Sequence, residues 1–490
     1  MAGIADELSS SVTSSPLASF MSISPTSLGS PYAPWLRDLK SDERGLFLIH
    51  LLLNCATHVA AGNIDQANAF LEQISFLSSP DGDTMQRIAS YFTEALARRL
   101  LRSWPGLYRA LNPDLPESSS ASTFHACRLF HDLFPFLRLS FLVSNQAILE
   151  AMEGEKVVHV VDLGGSDPSQ WIALLQSLAA RQEGPPHLRI TAVGESRDFL
   201  THMASILSNE AEKLDIPFQF HAVISRLDTL NVESLRVKTG EALAITSLLQ
   251  LHPLLAPNDD AAAPRKHFST KIESFLTSLW GLSPKIMVVT EQESNHNGST
   301  LKERFMEALY FYAAMFDCLE STVPRQSAER ARVEKMLFGE EIKNIIACEG
   351  LERKERHEKL ERWMQRLEMA GFWRVGLSYH GLMQARRLLL GFGSDGYQVK
   401  EQNGSFFFCW QERALFSVSA WRFRSIVEAG YRKVIAYQIE VCFWIPFCLE
   451  LGGLVLVFVL LIVSMRRTYS GRSPDILGLQ SKLTTGVYST

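Results

Sequence analysis

The spacing of apolar positions changes character once along the chain, at Val157. Before it the spacing is helical. Leu46, Ile49, Leu53, Ala56 and Ala60 recur every three or four residues. Ile64, Ala67, Phe70, Leu71 and Ile74 do the same after a break at Gly62-Asn63. Ile88, Phe92, Leu96 and Leu100 form a third stripe, and Phe130, Phe134, Leu137 and Phe141 a fourth. This predicts a helical bundle or cap over about residues 40–150. From Val157 to Val161 a β-branched run, closed by Asp162-Leu163-Gly164-Gly165, suits a strand buried on both faces of a parallel sheet. Asp167 can cap the following helix and Pro168 fits its first turn. The alternation continues, with strands at 188–193, 218–223, 242–251 and 286–290 and helices at 201–214, 271–280 and 301–319. A helix with one interruption is predicted over 330–371. Runs at 396–400, 405–410 and 415–421 follow, the last two joined by Gln411-Glu412-Arg413 as an antiparallel hairpin. The pattern predicts an α/β fold: a Rossmann-like open sheet, methyltransferase-like in its terminal hairpin, under an α-helical cap.

Ligands of such a sheet bind at the C-terminal ends of its strands. The residues expected there are Asp162, Gly164, Gly165, Ser166, Gln170 and Trp171 around the first turn, Glu195 after the second strand, and Glu291 after Thr290. A methyltransferase would carry Gly-x-Gly-x-Gly at that turn. Here Gly164 holds the first position, Ser166 the second and Pro168 the third. A Cβ at the second obstructs a cofactor, and a proline removes a donor. No Ser/His/Asp or Cys/His set stands out, and no histidine pair has metal-ligand spacing. The reading is therefore no catalytic residues, no cofactor and no metal, with His159 a packed core residue. A methyltransferase-like enzyme or small-molecule receptor using the Asp162–Asp167 turn is the alternative.

Two segments are candidate partner surfaces. Leu48-Ile49-His50-Leu51-Leu52 has the LxxLL form of coregulator-binding helices, against which stands burial of Leu48, Leu51 and Leu52 in the bundle. Residues 352–362 alternate in charge, and Glu352/Arg356, Glu355/Lys359 and Glu358/Arg362 at i,i+4 predict a solvated helix. Arg353, Arg356 and Arg362 would be its contacts.

Composition sets the class. The chain has 490 residues, 46% hydrophobic and 21% charged, which is globular usage. Its seven cysteines are scattered with no CxxC pair, which fits reduced thiols in cytosol or nucleus. The net charge of −5 argues against binding DNA through bulk charge. Residues 1–34, rich in Ser and Pro, read as a disordered arm. Residues 425–490 read as a distinct tail. From Arg424 onward seven Lys or Arg face four Asp or Glu, leaving −8 on the first 423 residues. Within the tail, Phe447 to Met465 carries only Glu450 and spans roughly 28 Å as a helix, close to a bilayer core. Residues 443–465 are a candidate transmembrane helix; a buried helix or a tail outside the working protein is the other reading.

Several segments resemble one plant family. Val158-His159-Val160-Val161-Asp162 looks like the VHIID core motif of the GRAS family. The stripes over Leu46–Leu101 and Phe199–Leu235 resemble its two leucine-rich regions. Residues 337–350 with 352–363 resemble its PFYRE region, and Trp410 with Ser419-Ala420-Trp421 its closing SAW motif. Within the family, Gln170-Trp171, residues 184–191, 213–218 and 237–243 point to the scarecrow-like branch. The resemblance covers about residues 40–423 and none of 425–490. It implies a helical cap on a Rossmann-like core. It implies a nuclear transcriptional regulator without catalysis, acting in gibberellin response and root growth or patterning. Implied partners are other GRAS proteins, DELLA repressors among them, and indeterminate-domain zinc-finger factors. DNA would be met mainly indirectly, and homo- or hetero-dimers are consistent with the family.

Overall fold

A computed structural model describes residues 40–111, 120–164, 167–257 and 270–423. The N-terminal arm, Gly165, Ser166 and the candidate membrane helix at 443–465 lie outside these residues. Six helices come first: α1 (Ser41–Ala61), α2 (Ile64–Leu77), α3 (Thr84–Leu101), α4 (Pro105–Leu111), α5 (Ser120–Leu133) and α6 (Phe136–Ala151). The Gly62-Asn63 break ends α1 because Gly62 takes φ 74°, where a side chain is strained. A capping box of Asp83 and Gln86 starts α3. Among the described residues α1 alone is long and apolar enough to cross a membrane by length and composition; here its apolar face packs in the cap.

The sheet has nine strands: β1 (Val157–Asp162), β2 (His187–Gly194), β3 (Phe218–Ile224), β4 (Ala242–Leu248), β5 (Ile286–Gln292), β6 (Phe372–Val375), β7 (Tyr397–Gln402), β8 (Ser405–Trp410) and β9 (Arg413–Phe423). Their order is β3-β2-β1-β4-β5-β9-β8-β7. The first five are parallel and β9 runs antiparallel to β5. β6 and β8 lie end to end along the far side of β9, pairing at Ala420 and Val418 respectively. The order switches direction at β1, so the crevice of the fold lies beyond the C-terminal ends of β1 and β4. Alternate residues of β1 enter different cores: Val158 and Val160 face the core shared with the cap, and Val161 the opposite one with Ile245, Met287 and Trp421.

Six helices used below follow β1: α7 (Pro168–Ala179), α8 (Arg197–Lys213), α9 (Lys271–Gly281), α10 (Leu301–Thr322), α11 (Ala328–Val333) and, after a π-turn at Glu334–Phe338, α12 (Gly339–Ala347). Then come α13 (Leu360–Met369) and α14 (Tyr379–Leu390).

Three expectations need correction. The cap does not end near residue 150. Segment 301–347 returns to it, with Phe305 meeting the Phe92 ring edge-on at 5.3 Å and Arg87 Nε bonding Glu334 at 3.1 Å. The strand expected at 242–251 stops at Leu248, because Leu249 adopts φ 56°. The helix expected over 330–371 has its one interruption at 348–359 and resumes at Leu360, and the break falls where 352–362 was expected to be a solvated helix: residues 353–359 take neither helix nor strand. An i,i+4 ion pair is worth only about 0.3–0.5 kcal/mol. The long-range contacts described below outweigh it. β6 and α14 were not anticipated by the apolar spacing.

Candidate functional site

The described residues of the turn after β1 are engaged by the protein itself. Asp162 is fully buried; its Oδ1 accepts the Gly164 N–H at 3.0 Å and its Oδ2 the Trp171 indole N–H at 3.1 Å. A Cβ on Gly164 would meet Gln250 Cγ at 2.6 Å, so the Gln250 side chain lies where a ligand would approach that turn. Gln170, buried, accepts through its carbonyl from Asn145 Nδ2 at 2.7 Å. Asp167 caps α7 through the Ser169 N–H. Glu195 is exposed and joins none of these contacts, and Glu291 belongs to a different cluster. Of the eight residues expected to line one pocket, Gly165 and Ser166 lie outside the described residues, and Glu195 and Glu291 share none of the contacts of the Asp162 turn. His159 is buried in the sheet: Nε2 lies 2.8 Å from Thr191 Oγ1, and Nδ1 accepts from Arg189 at 3.0 Å. Burial, then the Arg189 charge, lowers its pKa to about 4 against the pull of Glu241, so it is neutral at pH 7.

The chemistry-bearing side chains converge instead beyond β4 and β5. Glu291, at the end of β5, accepts the Leu251 N–H at 2.9 Å through Oε1 and faces His252 Nδ1 at 3.0 Å through Oε2. Segment 353–359, without regular secondary structure, lies against this pair as a strap. It is held to the loop after β5 by His296 N–H to His357 O at 2.9 Å and Arg353 to His296 O at 2.8 Å. Glu355 and His357, two residues apart in the strap, both turn toward the same space. Glu355 Oε2 lies 3.1 Å from His252 Nε2 and 3.3 Å from His357 Nε2. His357 Nδ1 meets His296 Nδ1 at 3.0 Å. Burial would lower the His252 pKa, but the Glu291 and Glu355 carboxylates outweigh it and push it up to about 10. Burial, then the His252 charge, lowers His296 to about 3 and His357 well below its usual value. One imidazolium and two neutral imidazoles thus share a space with two carboxylates. These residues are scattered over more than a hundred positions, so spacing along the chain did not reveal them. The one local signal, Glu355-x-His357, was hidden by the expectation of a helix.

The expected partner surfaces are mostly interior. Leu48, Leu51 and Leu52 are at most 2% exposed, in the cap core. Arg353 and Arg356 are buried in the strap, and Arg356 bonds Asn297 Oδ1 and Gly350 O. The expected Glu358/Arg362 pair is replaced by Glu358 with Arg366 at 2.8 Å, leaving Arg362 exposed on α13. Ser419, Ala420 and Trp421 are buried in β9, Trp421 donating to Ser419 Oγ at 2.9 Å, and Trp410 donates to Asp317 at 2.6 Å. These motif residues position the sheet. The exposed apolar stripe is elsewhere, on α14: Tyr379 (71% exposed), Met383 (44%) and Leu390 (84%) at i, i+4 and i+11, with Arg386 at i+7 between them and Arg387 beside it.

The GRAS domain family matches residues 48–422. The chain is 56% identical over 475 residues to Scarecrow-like protein 3 of Arabidopsis thaliana, covering 86% of this chain and 98% of that one. It is 37% identical over 389 residues to the DELLA protein GAI1 of Vitis vinifera, covering 78% of this chain and 62% of that one. The crystal structure of SCL7 from Oryza sativa superimposes with a TM-score of 0.67 at 31% identity, covering 76% of this chain and 99% of that one. With the motifs in order on the sheet and the match running through β9, the chain belongs to the GRAS family.

Proposed function

We propose that this protein is a nuclear transcriptional coregulator that acts by holding protein partners, without catalysis, in gibberellin response and root growth or patterning. The observation that carries the reading is the way the protein's own side chains engage the described residues of the β1 turn. Gln250 packs against Gly164, at the turn that holds cofactor in a methyltransferase, and Asp162 is engaged by Gly164 and Trp171. Its partners are other GRAS proteins, DELLA repressors included, and indeterminate-domain zinc-finger factors, with DNA reached through them. The stripe on α14 is the docking face, and its occupant is an amphipathic partner helix. Acidic flanks on that helix complement Arg386 and Arg387.

The test is co-precipitation of the full chain with an indeterminate-domain factor, beside a Tyr379→Ser/Leu390→Ser variant. Retention by the parent and loss by the variant is expected. Tight, salt-sensitive DNA binding without any partner overturns the reading. So does heat on titration with millimolar S-adenosylmethionine.

A second reading, a membrane-tethered form, rests on the apolar run at 447–465. Fractionation of the full chain beside a 1–424 truncation tests it: only the full chain should sediment with membranes.

A further inference from the structure

We propose that His252, Glu355 and His357 form a binding site for a divalent transition metal, zinc above all, with Glu291 as the positioning residue for His252. The geometry of the three donors carries this. Their ligand atoms lie within 4.8 Å of one another. Glu355 Oε2 stands 3.1 Å from His252 Nε2 and 3.3 Å from His357 Nε2. Two ligands of one tetrahedral zinc ion, each about 2.0–2.1 Å from the metal, are about 3.3 Å apart. The contact between His357 Nε2 and Glu355 has the distance of a hydrogen bond but not its direction, and His357 Nε2, in a fully buried ring, has no hydrogen-bond partner. A buried nitrogen without a partner is costly unless something else satisfies it.

The surroundings fit a metal as well. His252 Nδ1 faces Glu291, whose other oxygen is fixed by the Leu251 N–H, and this directs Nε2 toward Glu355. A carboxylate behind a histidine in this way is the usual outer support of a zinc ligand. The His252 and His357 rings lie with centroids 4.0 Å apart, tilted by 36°, and both Nε2 atoms approach the one Glu355 oxygen. The Glu355 side chain, 24% exposed, provides the way in. Two nitrogens and a carboxylate oxygen suit zinc better than calcium or magnesium. The metal would join the turn after β4 to the strap.

The experiment uses the full chain, stripped with a chelator and titrated with zinc against a chromophoric competitor, then with cobalt(II) as a spectroscopic probe. One equivalent is expected, with a tetrahedral cobalt spectrum and no thiolate charge-transfer band. Glu355→Gln, at the partly exposed position, should weaken zinc by more than 100-fold with an unchanged circular dichroism spectrum. Glu291→Gln should weaken it by about 10–100-fold. His357→Gln should abolish it; should that variant fail to fold, Glu355→Gln alone decides. A thiolate band, no stoichiometric binding, or affinity unchanged in Glu355→Gln overturns the proposal.

Discussion

At the scale of single residues, the family motif around β1 is a statement about closure. Asp162 satisfies two donors, the part-buried Gly164 N–H and the buried Trp171 indole. Each stranded donor costs about 1–3 kcal/mol, so Asp162→Ala should lower unfolding free energy by about 2–6 kcal/mol in urea. Glu341 makes the opposite kind of contribution. Burial, then the Glu355 charge, pushes its pKa up to about 8, although the Tyr312 hydroxyl donates to it at 2.6 Å. The folded state therefore holds a proton that the unfolded state releases at about 4.5. Stability from this group is present below that pH and lost as pH rises toward about 8. Glu341→Gln removes the dependence and keeps an acceptor for Tyr312. It should stabilise the protein by at least about 1 kcal/mol at pH 8 and have little effect at pH 4.5, read from denaturation curves at the two pH values.

At the scale of elements, the junction of α3 with the π-turn is the most exposed to single changes. Arg87 reaches Glu334 at 3.1 Å and Glu320 at 2.9 Å, and Arg330, 2% exposed, returns to Glu334 at 2.9 Å. Burial would raise the Glu320 pKa, but Arg325, Arg330 and Arg87 together bring it down to about 2. Arg87→Ala removes one charged hydrogen bond from each of Glu334 and Glu320, which keep Arg330, so it should cost about 2–4 kcal/mol. Arg98→Ala, an exposed i,i+4 pair with Glu94, should cost less than about 1 kcal/mol.

Elements of this kind were unevenly legible in the sequence. β1, β5 and the β8–β9 hairpin were, because buried parallel strands and tight turns leave short-range signatures. The strap was not. Its charges satisfy the helical i,i+4 rule, yet Arg353, Arg356 and Glu358 find partners on the loop after β5 and on α13, contacts no local window contains. α14 escaped notice because its apolar residues lie on the outer face as well as the inner. The histidine–glutamate cluster was invisible for the same reason as the strap that builds it.

At the scale of the molecule, the cap is one body made from two distant stretches of chain. Arg87 and Glu334 are 247 positions apart. At about 5–20 residues per second, the first helices leave the ribosome on the order of 10–50 s before the segment that completes their core. During that wait Leu48, Leu51, Leu52, Phe92 and Leu96 have no permanent neighbours from residues 301–347. A fragment ending at residue 300 should therefore aggregate when expressed alone, whereas 1–424 should stay in the supernatant after centrifugation. The nascent chain is thus an obligate client of whatever shields apolar helices at the ribosome, and its yield in a cell is set by that guardianship as much as by the strength of the finished fold.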